Sequence, residues 1–143
     1  MRGLRNNNPG NIRNSKTVWQ GEITPSTDRS FKQFRSMAYG YRAMIKLLQN
    51  YSRLNGCHTL RTMISRWAPP SENDTRSYIS TVSKLTGIDP DKRINIDDRR
   101  TMCCLAAAMS RVENGVPAVT AGGGGGGGVF LKMEKKGREG FRF

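Results

Sequence analysis

The segment Arg5-Asn6-Asn7-Asn8-Pro9-Gly10-Asn11-Ile12-Arg13 constrains the fold more than any other part of the chain. Asparagine side chains bond to nearby backbone and favour turns, proline fixes its own φ, and glycine tolerates left-handed geometry. A regular helix or central strand is excluded across these residues. The segment is either an exposed N-terminal turn or a shaped loop that presents amides. Amides donate and accept hydrogen bonds without charge, which suits neutral polar ligands such as sugars.

The 143 residues suffice for one domain with a real core. Net charge is +13, which draws the surface to polyanions such as nucleic acid, anionic lipid or the polymers of a bacterial cell envelope. The basic residues are spread along the chain, so no dedicated nucleic-acid arm is evident. Cys103 and Cys104 are adjacent and point apart on a helix, while Cys57 is left to reach one of them. Three cysteines without regular spacing do not make a disulfide framework. His58 is the sole histidine, so a histidine-based metal site is not expected. No window is apolar for long enough to span a membrane, and no apolar signal-peptide core opens the chain. The expectation is a protein made in bacterial cytoplasm, without membrane insertion.

Residues 14 to 35 mix Val18, Trp19, Ile23, Phe31 and Phe34 with turn formers, and predict a short β-hairpin or irregular β-lobe. Ser36 caps a predicted helix with Met37, Tyr41, Met44, Ile45, Leu48 and Tyr51 on one face, ended by Gly56. Thr59 caps a second, with Leu60, Met63, Ile64 and Trp67, stopped by Ala68-Pro69-Pro70. The cap-forming run Ser71 to Thr75 precedes a third, with Tyr78, Ile79, Val82 and Leu85, closed by Gly87. Asp97 or Asp98 opens a fourth, with Met102, Leu105, Ala106, Met109 and Val112, ended by Gly115 and Pro117. The predicted organisation is a domain over 1–121, a glycine linker or loop over 122–128, and a basic tail over 129–143. Homopolymeric glycine is flexible and buries no core; the tail either returns to the fold or is an engineered fusion.

Few residue types remain for chemistry. The glycine run lacks the Lys and Ser/Thr of a phosphate loop. Nothing near His58 supports a serine or cysteine triad. Glu113 ends the fourth predicted helix, where the helix dipole disfavours a negative charge and raises the carboxyl pKa. A carboxyl kept protonated is what protonates a glycosidic oxygen. An ordinary exposed glutamate before a glycine cap is the alternative. Glu22 and Asp28 in the β-lobe are candidates for a second carboxylate, or else a surface charge and a turn residue. Trp19, Trp67, Tyr41 and Tyr78 line a sugar cleft or belong to the core. Glu72 reads as a charge favoured at a helix start.

Taken in order, Asn7-Asn8-Pro9-Gly10-Asn11-Ile12, Trp19-Gln20-Gly21, Phe31-Lys32-Gln33-Phe34-Arg35-Ser36 and the helix through Tyr51 resemble bacterial glucosaminidase domains. Trp67-Ala68-Pro69-Pro70 and Thr75-Arg76-Ser77-Tyr78 resemble a loop and Tyr-bearing helix of the same lysozyme-like superfamily. The Arg-Asn-Asn-Asn-Pro-Gly-Asn opening is also similar to that of phage virion proteins. The resemblance covers about residues 2 to 115. In those hydrolases the catalytic glutamate ends a helix before the Asn-rich turn. Here its match, Val112-Glu113-Asn114-Gly115, lies at the far end, as a circular permutation would place it.

The resemblance implies a mainly α (α+β), lysozyme-like domain with a small β-lobe. It implies cleavage of the peptidoglycan glycan strand, by hydrolysis or by a lytic transglycosylase route, without a cofactor. Glu113 would protonate the leaving oxygen and Asp28 or Glu22 would assist. Asn6, Asn7, Asn8, Trp19, Trp67 and Tyr78 would hold the sugars. The implied partners are peptidoglycan and other virion proteins, in a phage virion or in the host envelope after delivery. A non-catalytic virion component or glycan-binding module is the second reading. A nucleic-acid-binding protein ranks last, because no recognition helix or aromatic RNA platform is apparent.

Overall fold

Local capping sets the helix boundaries. The computed structural model describes residues 2–115. After a short helix α1 (Arg2–Arg5), the chain runs through β1 (Glu22–Ile23) and β2 (Gln33–Phe34) into α2 (Met37–Asn55), α3 (Leu60–Trp67), α4 (Thr75–Thr86) and α5 (Arg99–Glu113). Ser36 accepts the Tyr39 N–H at the start of α2, and Gly56 at φ 68° closes it. Thr59 and Thr62 form a reciprocal capping box on α3. Asp74 caps α4 and Gly87 ends it at φ 76°. Of the two aspartates offered for the fourth long helix, Asp98 is the cap.

The architecture is mainly α, as expected. Helix α5 is the central element, with Met102, Leu105, Ala106 and Met109 fully buried. Met44, Ile45 and Leu48 of α2 and Ile79 and Val82 of α4 share its core, and α3 joins through α2 and α4 with Leu60, Met63 and Ile64. Each large apolar side chain removed from water contributes about 1.5–3 kcal/mol before entropy is counted. Cys57, Cys103 and Cys104 are all free thiols. No described helix is long and apolar enough to cross a membrane. The glycine run 122–128, the tail 129–143 and the end of the 1–121 unit lie outside the described residues.

The β-lobe is more irregular than a hairpin. Its two short strands pair antiparallel, Glu22 with Phe34 and Ile23 with Gln33. An isolated bridge joins Arg13 to Phe31. The rest is organised around two carboxylates. Asp28 takes Arg2 Nε at 2.6 Å and Nη2 at 2.7 Å, Asn6 Nδ2 at 3.0 Å, and the backbone N–H groups of Ser30 and Phe31. The Arg2 guanidinium and these donors hold its carboxyl well below the usual carboxylate range. Glu22 forms a buried ion pair with Lys32 at 3.0 Å, their side chains 5% and 1% exposed. Lys32 Nζ also donates to Thr17 O at 2.7 Å, and Glu22 Oε1 accepts the Trp19 N–H at 3.0 Å.

The Asn-rich segment is a shaped, largely buried loop, not an exposed turn. Asn8 is fully buried. Its Nδ2 donates to Ile12 O at 2.9 Å and Lys32 O at 3.0 Å, and its Oδ1 accepts the Ile12 N–H at 2.9 Å. Asn7 Nδ2 donates to Phe34 O at 3.1 Å. Asn7 and Asn11 take left-handed backbone at φ 52° and 51°, a conformation asparagine tolerates better than most residues. Helix α2 lies so close to this loop that a Cβ on Gly40 would overlap the Asn7 carbonyl oxygen. The described ends of the chain are tied together: Asn114 Nδ2, at the end of α5, donates to Pro9 O at 3.1 Å.

Candidate active site

Glu113 is the last residue of α5, and three elements converge on its carboxyl group. Tyr78 of α4 donates its hydroxyl to Oε2 at 2.9 Å. Trp67, the last residue of α3, donates Nε1–H to the same oxygen at 3.3 Å. Asn11 of the Asn-rich loop donates Nδ2–H to Oε1 at 3.3 Å and to the Glu113 carbonyl at 3.2 Å. All three donors are neutral. Tyr78 Oη also lies 3.4 Å from Met109 O, a second acceptor for its proton.

The local sequence explains this convergence. The cap at Ala68 and the Pro69-Pro70 pair end α3 at Trp67, which leaves the indole at the rim. Gly10 allows the indole to approach: a Cβ there would lie 2.7 Å from Trp67 Cζ2 and 3.0 Å from Met44 Sδ. The left-handed turn at Asn11 swings its amide away from the β-lobe and onto Glu113. Tyr51 meets Trp67 edge to face, ring centres 6.3 Å apart.

Burial pushes the Glu113 carboxyl above the ordinary glutamate value; the hydrogen bonds from Tyr78, Asn11 and Trp67 pull it down without cancelling that effect. Burial, then the adjacent Glu113, raise Tyr78 well above the usual phenol value, so it remains a neutral donor. Glu113 opens onto a cleft of about 250 Å³, lined also by Asn11, Arg13, Tyr51, Trp67, Glu72 and Asn73. A second hollow of about 250 Å³ adjoins on the α4 side and shares Asn73 and Glu113. Glu113 and Asn73 thus line both hollows.

Of the residues expected at a sugar site, Glu113, Trp67 and Tyr78 come together. Asn6, Asn7 and Asn8 do not line the cleft, because their amides are engaged in holding Asp28 and the loop backbone. Trp19 packs half-buried against the core near the β-lobe and is also absent from the cleft lining. Neither Glu22 nor Asp28 lines either hollow. Each is paired with a cation in the β-lobe, and the structure does not bring either of them to Glu113 as a second carboxylate. The sequence reading missed Asn11, Tyr51 and Glu72 as cleft residues. For Asn11 the available sequence signal is an asparagine, a residue that tolerates left-handed backbone, placed directly after Pro9-Gly10.

A larger hollow of about 570 Å³ lies elsewhere, beside Ser52, Arg53, His58 and Arg93. There Ser52 Oγ and His58 Nδ1 are hydrogen-bonded at 2.9 Å, and Arg53 pairs with Asp97 at 3.3 Å. No carboxylate is bonded to the His58 ring among the described residues. Nor, among those residues, does any group of three His, Cys, Asp or Glu side chains make a metal site.

No protein-family model matches the chain. Among known proteins, Protein P5 of Pseudoalteromonas phage PM2 is 38% identical over 117 residues, which cover 80% of this chain and 71% of the relative.

Proposed function

This chain belongs to the family of Protein P5 of Pseudoalteromonas phage PM2, and from that premise we propose that it cleaves the glycan strand of bacterial peptidoglycan as a lysozyme-like enzyme. The observation that carries this reading is the Glu113 carboxyl at a helix end, held by three neutral donors and opening onto a cleft lined also by Trp67, Tyr51 and Asn11. A glycosidic oxygen is a poor leaving group until it is protonated, and a carboxyl whose pKa is raised supplies that proton near neutral pH. Only donors without charge preserve such a carboxyl. A lysine or arginine in place of Trp67 or Asn11 would fix it as a carboxylate.

Tyr78 serves both protonation states. Facing a carboxylate it donates to Glu113 Oε2. Facing a carboxylic acid its oxygen accepts the acid proton, and its own hydrogen turns to Met109 O. Glu113 can therefore lose and regain a proton without leaving a buried polar group unpaired. The flat faces of Trp67 and Tyr51 and the amides of Asn11 and Asn73 line the groove as sugar rings require. The Asn114–Pro9 contact brings the described ends of the chain together, as a circularly permuted lysozyme-like fold needs. The positive surface would concentrate the enzyme on an anionic wall, and a phage relative fits delivery with a virion.

The test is digestion of purified cell walls, followed by turbidity and by mass spectrometry of released fragments. Wild type should release muropeptides. Glu113→Gln, which keeps the shape but carries no transferable proton, should lose about 100-fold or more. Equal rates would remove Glu113 from the role. Binding to walls without release by wild type would favour the glycan-binding module instead.

A further inference from the structure

We propose that Glu72 is the second carboxylate of the groove, acting as the base that draws a proton from attacking water; this rests on the reading of Glu113 as the glycosidic acid. The carboxylates sort by what holds them. Of the acidic residues, all but Glu134 and Glu139 fall within the described part of the chain. Glu22, Asp28, Asp91 and Asp97 sit in ion pairs. Asp74 and Asp98 cap helices, and Asp89 accepts the N–H of Asp91. Glu113 has its three neutral donors. Glu72 alone has a carboxylate with no hydrogen bond or ion pair among the described residues, and it lines the cleft into which Glu113 opens.

The Glu72 backbone is held in place. Its N–H donates to Pro69 O at 3.0 Å. Next to it Asn73 Nδ2 donates to the same carbonyl at 3.1 Å, and Thr75 Oγ1 closes onto Ala68 O at 2.5 Å. The loop that carries Glu72 is thus fastened to the end of α3, beside Trp67. Glu72 is exposed and faces no cation, while half-buried Glu113 sits among neutral donors and is biased toward the acid form. One carboxyl withdrawn among neutral donors and one open to solvent on the same cleft are the arrangement an acid and a base require.

The step balances as hydrolysis. Glu113 gives its proton to the leaving glycosidic oxygen as the bond from that oxygen to the anomeric carbon breaks. Water forms the new bond to the anomeric carbon and gives its proton to Glu72. Solvent exchange then returns a proton to Glu113 and removes one from Glu72. The products are two hydrolysed ends, with the new oxygen from water and no 1,6-anhydro ring.

The experiment compares wild type, Glu72→Gln and Glu72→Ala on purified peptidoglycan in water enriched in the heavy oxygen isotope, with and without sodium azide. Wild type should yield reducing ends carrying solvent oxygen. Glu72→Gln should lose about 100-fold in rate. Glu72→Ala should regain turnover with azide and yield a glycosyl azide, which a merely structural role does not produce. Because Glu72 is exposed, both variants should melt with wild type. Full activity in Glu72→Gln, 1,6-anhydro ends from wild type, or no azide adduct would overturn the proposal for Glu72 and leave Glu113 as a lone acid. Retained activity in Glu113→Gln, or no cleavage by wild type, would instead overturn the glycosidase reading, and Glu72 with it.

Discussion

The β-lobe and the groove treat carboxylates in opposite ways. In the lobe, Asp28 faces Arg2 and Glu22 faces Lys32, so each negative charge is matched by a cation. In the groove, Glu113 is surrounded by a phenol, an indole and an amide. Matched charges fasten backbone. A half-buried carboxyl with neutral partners is biased toward its protonated form. The difference shows how one small domain separates the acids that hold a fold from the acid that can take part in chemistry.

The largest effect on stability should come from breaking the lobe's buried pair. Lys32→Met would leave Glu22 buried without a counter-charge and free the Thr17 carbonyl. Removing one partner of a buried ion pair costs about 3–5 kcal/mol. Chemical unfolding should report a loss in that range. A loss under about 1 kcal/mol would mean that water reaches Glu22, and that the pair behaves like an exposed one.

Much of this division was hidden in the sequence. The helices were legible because their signals are local: Ser36, Thr59, Gly56 and Gly87 each act within one turn of where they stand. Glu113 was legible for the same reason, as a carboxyl at a helix end before Asn114-Gly115. The surroundings of the lobe carboxylates were not legible, because their partners are set by tertiary structure; Arg2 and Asp28 lie 26 residues apart. Which asparagine faces the groove turned on backbone conformation. Asn6 and Asn7 bond to the β-lobe and Asn8 to Ile12 and Lys32, while Asn11 reaches a residue 102 positions away. Helix α1 is too short, at four residues, to show a period. Glu72 read as a helix-start charge because it precedes α4, but Asp74 is the cap, and the intervening loop turns Glu72 toward the cleft.

A smaller effect should follow from loosening the loop that joins lobe and groove. Asn8→Ala would remove two donated bonds and one accepted bond from a fully buried site, leaving backbone groups of Ile12 and Lys32 unpaired. An unsatisfied buried polar group costs about 1–3 kcal/mol. The same loop carries Asn11, so the wall-digesting activity proposed for the cleft should fall further than stability does. Full activity in a destabilised Asn8→Ala protein would show that Asn11 is positioned independently of Asn8.

The smallest effect, and the sharpest in sign, concerns Glu113 itself. Its folded pKa lies above its unfolded value because burial opposes the charge. The folded state therefore binds the proton more tightly. The stability linked to that proton is present below the unfolded pKa and is lost as pH rises through the folded one. Glu113→Gln cannot titrate, so it escapes this loss. Its amide oxygen can accept from Tyr78 and Trp67. Its NH2 would face the Asn11 NH2, but Asn11 Oδ1 is buried without a partner, and a flip of that amide would present the oxygen instead. Urea unfolding at about pH 4 and about pH 8 should then show a gap that moves in favour of the variant as pH rises. In the lobe the reverse holds: Asp28 has a depressed pKa, so its contribution is present above the unfolded value and lost in acid. A Glu113→Gln protein that loses ground to wild type as pH rises would place Glu113 with the lobe carboxylates, as a charge the fold depends on.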